Sequence, residues 1–258
     1  MTEKDRIEIR EYCRILGLKA VSANFEAYAK EACDHESYLL ELLRSQITER
    51  ENNVVEKRIK AAHFPYRKYI EDLELDCLPE SLKLRLPELL TLDFIKEGRN
   101  IILMGNPGTG KTHTAIGLGI KACEAGYKVL FTTIPHLVTE LKESNDQQKL
   151  GKYERKFAKY DLVIADELGY ISFDRIGADL LFNNLSQRVG LKSTIITSNL
   201  SFESWDRVFG GPAITGAMVD RLTFGAFLID MQGDSYRLRE TLKINGLDQT
   251  YVLEGKHS

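Results

Sequence analysis

The chain has little of what marks several protein classes. Its four cysteines, Cys13, Cys33, Cys77 and Cys123, lie far apart with no Cys-x-x-Cys pair, so neither a disulfide framework nor a zinc cluster is expected. The five histidines show no metal-ligand spacing. No stretch approaches the roughly 18 consecutive apolar residues of a membrane span. The charged opening, Met-Thr-Glu-Lys-Asp-Arg, leads into no signal-peptide apolar core. A reduced, cytoplasmic protein without a membrane segment is the expectation. An excess of one charge is also missing: the net charge is −3, which argues neither for nor against nucleic acid, because clustering decides that question. The 258 residues, 43% hydrophobic and 28% charged, suffice for a sizeable core, arranged as one large domain or as a core with an appendage.

What is present is concentrated in one stretch. Ile101 to Met104 is a short apolar run, followed at once by Gly105-Asn-Pro-Gly-Thr-Gly-Lys-Thr112. That is the phosphate-binding loop pattern with a strand before it and a helix after it. Gly105, Gly108 and Gly110 give the backbone the freedom to close its N–H groups around a polyphosphate. Asn106, Pro107 and Thr109 fill the loop, and His113 follows it. Lys111 would reach the β- and γ-phosphates, the Thr112 hydroxyl would hold Mg²⁺, and the helix N-terminus would face the same anion. A nucleotide with Mg²⁺ is the expected ligand.

Residues 1–72 read as all-helical. Thr2-x-x-Asp5 starts a helix that Gly17 ends. From Asp34, Leu39, Leu42, Leu43, Gln46, Ile47, Val55, Ile59 and Ala62 form a stripe at helical spacing that Pro65 should break. Residues 73–97, with Pro79 and Pro87, read as a connector whose leucines, Leu84 and Leu90 among them, are mostly core. From residue 98 to 258 strands and helices alternate. The predicted class is α/β: a central parallel sheet flanked by helices, preceded by a small helical domain.

Asp161-Leu-Val-Ile-Ala-Asp166-Glu167 is a buried strand ending in two acids. Below a phosphate loop, Asp166 would support Mg²⁺ and Glu167 would polarise the attacking water, which points to hydrolysis rather than transfer to a small-molecule hydroxyl. Ser193 to Asn199 is a further strand, placing Asn199 to orient that water. Arg221 and Arg237 are candidates for sensing the γ-phosphate, or else form surface ion pairs. Two basic clusters stand out. Leu42 to Ile70 holds seven basic residues (Arg44, Arg50, Lys57, Arg58, Lys60, Arg67, Lys68) against three acidic. On a short helix, Lys152, Arg155, Lys156 and Lys159 share one face. Each cluster is either a DNA contact or plain solvated surface.

With these residues in hand, the chain resembles the AAA+ ATPases of the initiator and helicase-loader group, and within it the IstB-like helpers of insertion-sequence transposases. The resemblance covers nearly the whole chain. It rests on Arg67 in Phe64-Pro-Tyr-Arg-Lys68, on the phosphate loop, and on Asp166-Glu-Leu-Gly-Tyr170. It continues in Thr197-Ser-Asn199, Trp205, Val219-Asp-Arg-Leu222 and Gly233-Asp-Ser-Tyr-Arg237. It implies an ATPase that assembles as a homo-oligomer on duplex DNA, with ATP between subunits, and delivers bent DNA to a transposase that stimulates hydrolysis. By motif position Arg221 would reach a neighbour's ATP and Arg237 its own. The basic clusters would then contact DNA, through phosphates and with little sequence preference. The shortness of the sequence after Arg237 implies a helical lid that is short or absent. DnaC-like helicase loaders, which bind single strands, share these motifs, and a nucleotide-gated scaffold that needs no hydrolysis is a further alternative.

Overall fold

Thr2 and Gly17 set the two ends of the first helix, α1 (Glu3–Leu16). In this computed structural model, which describes residues 2–245, the Thr2 hydroxyl accepts from the Asp5 N–H and the Asp5 carboxylate accepts from the Thr2 N–H. Gly17 closes the helix in the left-handed region at φ 66°. Next come α2 (Lys19–Glu31) and α3 (His35–Ala61). The chain divides into two compact units, 1–57 and 58–258. In the first, Cys13, Phe25 and Leu42 are buried, and Gln46 and Glu49 accept from the Ala20 N–H. Leu39, Leu43 and Ile47, expected on the buried stripe, are exposed instead. With only two short helices to pack on, α3 buries one narrow face, which carries Leu42 and Gln46.

The second unit is built on five parallel strands: β1 (Ile101–Met104), β2 (Val129–Thr133), β3 (Leu162–Leu168), β4 (Ser193–Ser198) and β5 (Phe227–Asp230). Their order across the sheet is β2-β3-β4-β1-β5. Both faces are covered along the central strands β1, β3 and β4, which are buried almost throughout. Ile102, Val163, Ala165 and Ile196 pack in one core with α7 (Ile134–Asp146), α9 (Arg175–Ser186) and α11 (Pro212–Thr223). The opposite face carries Ile164, which meets α6 (Lys111–Glu124) at Gly119. The remaining helices are α4 (Glu80–Leu90), α5 (Asp93–Lys96), α8 (Leu150–Phe157), α10 (Asp206–Phe209) and α12 (Tyr236–Ile244). Leu84 is 79% exposed on α4, against the expected core role. No helix among the described residues is long and apolar enough to cross a membrane.

The unit boundary lies ahead of the division expected at residue 72, and packing explains why. The Ala62 carbonyl accepts from the Phe131 N–H of β2 at 2.7 Å, and the Phe64 and Phe131 rings sit 6.3 Å apart. Gly117 and Gly119 leave a flat patch on α6. A Cβ there would come within 2.7 Å of Ile70 and 2.9 Å of Phe64 respectively. The segment after residue 57 therefore belongs to the sheet unit.

Two buried polar side chains fix the sheet to its surroundings. Asn100 accepts from the Thr194 N–H at 2.9 Å and donates to the Leu222 carbonyl at 3.0 Å. Arg188 donates to the carbonyls of Phe157, Tyr160 and Ser193. Burial lowers its pKa to about 10, which still leaves it charged at neutral pH.

Candidate functional site

The phosphate loop links β1 to α6 and is held open by close backbone approaches that only glycine permits. Gly105 has φ 148°, and a Cβ there would lie 2.4 Å from the Met231 carbonyl. Its N–H donates to the Ser198 carbonyl at 3.1 Å. Gly110, at φ 91°, is the N-cap residue of α6. The Lys111 ammonium donates to the carbonyls of Gly105 and Asn106 at 2.7 and 2.6 Å, which lays it across the loop. Burial pulls its pKa down, opposed by the nearby Asp166 charge. The Thr109 hydroxyl donates to the Asn106 carbonyl, and His113 Nε2 lies 2.8 Å from the Tyr69 carbonyl.

The second half of the site is the carboxyl end of β3. Asp166 is only 4% exposed. The Thr112 hydroxyl lies 3.0 and 3.2 Å from its two oxygens, and the Thr197 hydroxyl of β4 donates to it as well. Burial pushes its pKa up, and these hydroxyls together with Lys111 pull it back. A buried carboxylate beside a threonine hydroxyl is a hard-oxygen donor pair that suits Mg²⁺, which needs few protein ligands when phosphates supply the rest. The residues fit that ion.

Between Ala165 and Leu168 the β3–β4 register shifts. Glu167 occupies the shift with φ 66°, a left-handed conformation unusual outside glycine. Its N–H donates to the Thr197 hydroxyl at 3.0 Å, and its side chain is exposed. The next residue but one, Gly169, has φ 113°, and a Cβ there would lie 2.7 Å from Asn199 Oδ1. That oxygen is buried and has no hydrogen-bond partner. Backbone strain and an unpaired acceptor gathered at one strand end are features of a working site rather than of a resting corner.

A cavity of about 330 Å³ joins these parts: the loop from Pro107 to His113, Glu167, Thr197, Asn199 and Arg237 all line it. Its other wall was not expected from any motif. Asp72, at the end of the expected helical domain, and Leu73, Glu74, Cys77 and Leu78, in the stretch read as a connector, line it together with Tyr236 and Arg239 of α12. The Tyr236 hydroxyl lies 3.0 Å from Glu74 and the Arg239 guanidinium 2.8 Å from Cys77 Sγ. No helix was expected at α12, although Ser235, whose hydroxyl accepts from the Leu238 N–H, is a start signal that could have revealed it.

Arg221 is exposed on α11, its guanidinium carbon 5.0 Å from the centre of the Phe182 ring, and does not line the cavity. The ion pairs weighed for Arg221 and Arg237 are not found among the described residues. Lys68, grouped with the DNA contacts, lines this cavity together with Tyr66. Arg44 pairs with Glu41 at 2.8 Å. Arg50, Lys57, Lys60 and Arg67 are exposed and Arg58 is half-buried. On α8 and just beyond it, Lys152, Arg155, Lys156 and Lys159 are all exposed.

A five-stranded parallel sheet in this order, carrying a phosphate loop after β1 and acids at the end of β3, is the phosphate-loop fold of the AAA+ type. AMPPCP-bound DnaA from Aquifex aeolicus superposes with a TM-score of 0.54 at 20% identity, over 70% of this chain and 56% of that one. The protein DnaI does so with a TM-score of 0.54 at 20% identity, over 64% of this chain and 90% of that one. The profile of the family described as IstB-like ATP binding protein matches residues 13–244, and the chain belongs to that family. The ATP-binding protein named for insertion sequence IS5376 of Geobacillus stearothermophilus is 37% identical over 90% of this chain and 94% of its own. The one named for IS21 of Pseudomonas aeruginosa is 32% identical over 92% of each.

Proposed function

We propose that this protein is a Mg²⁺-dependent ATPase that assembles on duplex DNA and assists the transposase of its insertion sequence. The observation that carries the hydrolytic part is the placing of Glu167 and Asn199 on the same cavity as the phosphate loop. Loop N–H groups and Lys111 bind the β- and γ-phosphates. Thr112 and Asp166 would hold Mg²⁺, which supplies positive charge against the phosphate oxygens. Glu167 takes a proton from water as the water oxygen bonds to the γ-phosphorus and the bond to the β–γ bridging oxygen breaks, releasing ADP and phosphate. Asn199, which lines the same cavity, aims that water. Arg237 offsets charge on the phosphates from the same chain, and Arg221 does so from a neighbouring one.

The DNA part is supported by the exposed basic face of Lys152, Arg155, Lys156 and Lys159 and by the insertion-sequence names of the relatives. Arg44, Arg50, Lys57, Arg58, Lys60 and Arg67 are further candidates for DNA or transposase contact. Binding is to phosphates, salt-sensitive and nearly sequence-independent. The test is the ATPase rate without DNA, with single strands and with duplex at one modest salt concentration. Stimulation mainly by duplex, with ATP-dependent assembly on it, is expected. Preference for single strands would replace the transposition reading with that of a helicase loader, and indifference to both would remove the DNA reading.

A further inference from the structure

A second cavity, of about 450 Å³, is lined in part by β2, an edge strand of the sheet, and shares no lining residue with the cavity at the phosphate loop. Ring-bearing side chains make much of its interior. Phe131 and Phe157 are buried in its floor, and Tyr153 stacks on Phe157 with planes 19° apart. Tyr160 completes this wall. Polar groups are set among the rings: Glu140 accepts from the Tyr153 hydroxyl at 2.9 Å and lies 3.7 Å from His136 Nε2. Exposed His63, His136 and Lys156 surround the opening. The wall is braced from behind, because buried Arg188 holds the carbonyls of Phe157 and Tyr160. The cavity falls within the volume range of small-molecule sites.

Lys156 belongs both to this opening and to the basic face formed with Lys152, Arg155 and Lys159. A DNA backbone following that face would pass the opening. Flat aromatic walls accept any base by stacking, and a carboxylate and imidazoles at the rim offer an acceptor and donors for base edges. We propose that this cavity receives one unstacked nucleotide of the bound duplex, its base among Tyr153, Phe157 and Tyr160 and its phosphate at Lys156. This rests on the reading of α8 as a DNA contact. It would give each protomer a grip on distorted DNA, since a base already poorly stacked costs least to extrude.

The test measures affinity of the full-length protein with ATP for three duplexes of equal length: fully paired, with one central mismatch, and with abasic sites on both strands at that position. Tighter binding of the mismatched duplex, by about tenfold, is expected, with no such gain for the abasic duplex, which is equally flexible but has no base to insert. His136→Ala and Tyr160→Leu should each erase the mismatch gain while leaving protein stability and ATPase rate without DNA unchanged. Equal affinity for all three duplexes, or a gain shared by the abasic one, overturns the proposal while leaving DNA binding intact. Absence of any salt-sensitive DNA binding overturns the underlying DNA reading and the cavity proposal together.

Discussion

The Thr197 hydroxyl bridges the two acids at the end of β3: it donates to the Asp166 carboxylate and accepts from the Glu167 N–H at 3.0 Å. One side chain on β4 thus fixes both Asp166 and the turn that presents Glu167. Thr197→Val keeps the shape and removes both bonds. A lost hydrogen bond to a charged group is worth roughly 1.5–3 kcal/mol, and in a transition state that is about 10- to 100-fold in rate. ATPase kcat should fall by that much with ATP affinity nearly unchanged, and Thr197→Ser should restore it. A fall in affinity without a fall in kcat would refute the positioning role.

Glu167→Gln separates an ATPase from a scaffold. The side chain is exposed and lines the cavity, so the amide keeps the shape and loses the base. A general base contributes about 10²- to 10⁴-fold, and hydrolysis should drop by that range while ATP binding and assembly on DNA persist. If transposition assistance survives at full strength, bound ATP suffices and turnover is incidental.

How much of this was legible in the chain depends on how local the chemistry is. The phosphate loop and the Asp166-Glu167 pair are each contiguous, and their strand and helix contexts can be read from apolar runs beside them. The far wall of the nucleotide cavity is not local. Glu74 meets Tyr236, and Cys77 meets Arg239, across 162 residues, and none of these residue types signals a ligand at its own position. The role of Thr197 depends on the register shift between β3 and β4, which no spacing within either strand encodes. In α3 the apolar spacing was read correctly as helical. It could not say that Leu39, Leu43 and Ile47 remain exposed, because periodicity shows a face and not what lies against it.

Asp166 carries a stability consequence with a definite sign. Burial raises its folded-state pKa above the ordinary value of 3.8, so the folded chain holds that proton more tightly than the unfolded one. Stability from this group is therefore present at low pH and is lost as pH rises through the folded-state value. Asp166→Asn removes the buried charge and should raise the unfolding temperature of the nucleotide-free protein at pH 7, with the gain shrinking as pH falls toward 4. It should also abolish ATPase activity. A lower unfolding temperature at pH 7 would mean that the two threonine hydroxyls more than offset the burial of the charge.

Gly105→Ala and Gly151→Ala should act oppositely. A Cβ on Gly105 would strike the Met231 carbonyl at 2.4 Å in a backbone conformation hostile to side chains, whereas one on Gly151 of α8 meets nothing within 4 Å. Overpacking costs about 1–3 kcal/mol, while alanine gains up to about 1 kcal/mol over glycine in a helix. Denaturant unfolding should show Gly105→Ala destabilised and ATP binding lost, with Gly151→Ala neutral or slightly stabilised. Equal midpoints for the two variants would show that the loop relaxes around a side chain.

Arg221 lies outside the cavity of its own chain, exposed beside Phe182, which supports the proposal that it acts on the γ-phosphate of a neighbouring subunit. An arginine supplied in trans is worth about 10³- to 10⁵-fold in kcat. Arg221→Ala should therefore be nearly inactive although it binds ATP, and Lys111→Ala should be inactive because its own loop fails. Mixed together, the Lys111→Ala subunit offers an intact Arg221 to the intact loop of the Arg221→Ala subunit, and part of the ATPase activity should return. Recovery should require assembly and should peak at intermediate ratios. No recovery at any ratio would refute action of Arg221 in trans, leaving Arg237, which lines the cavity directly, as the stronger candidate for acting on phosphate.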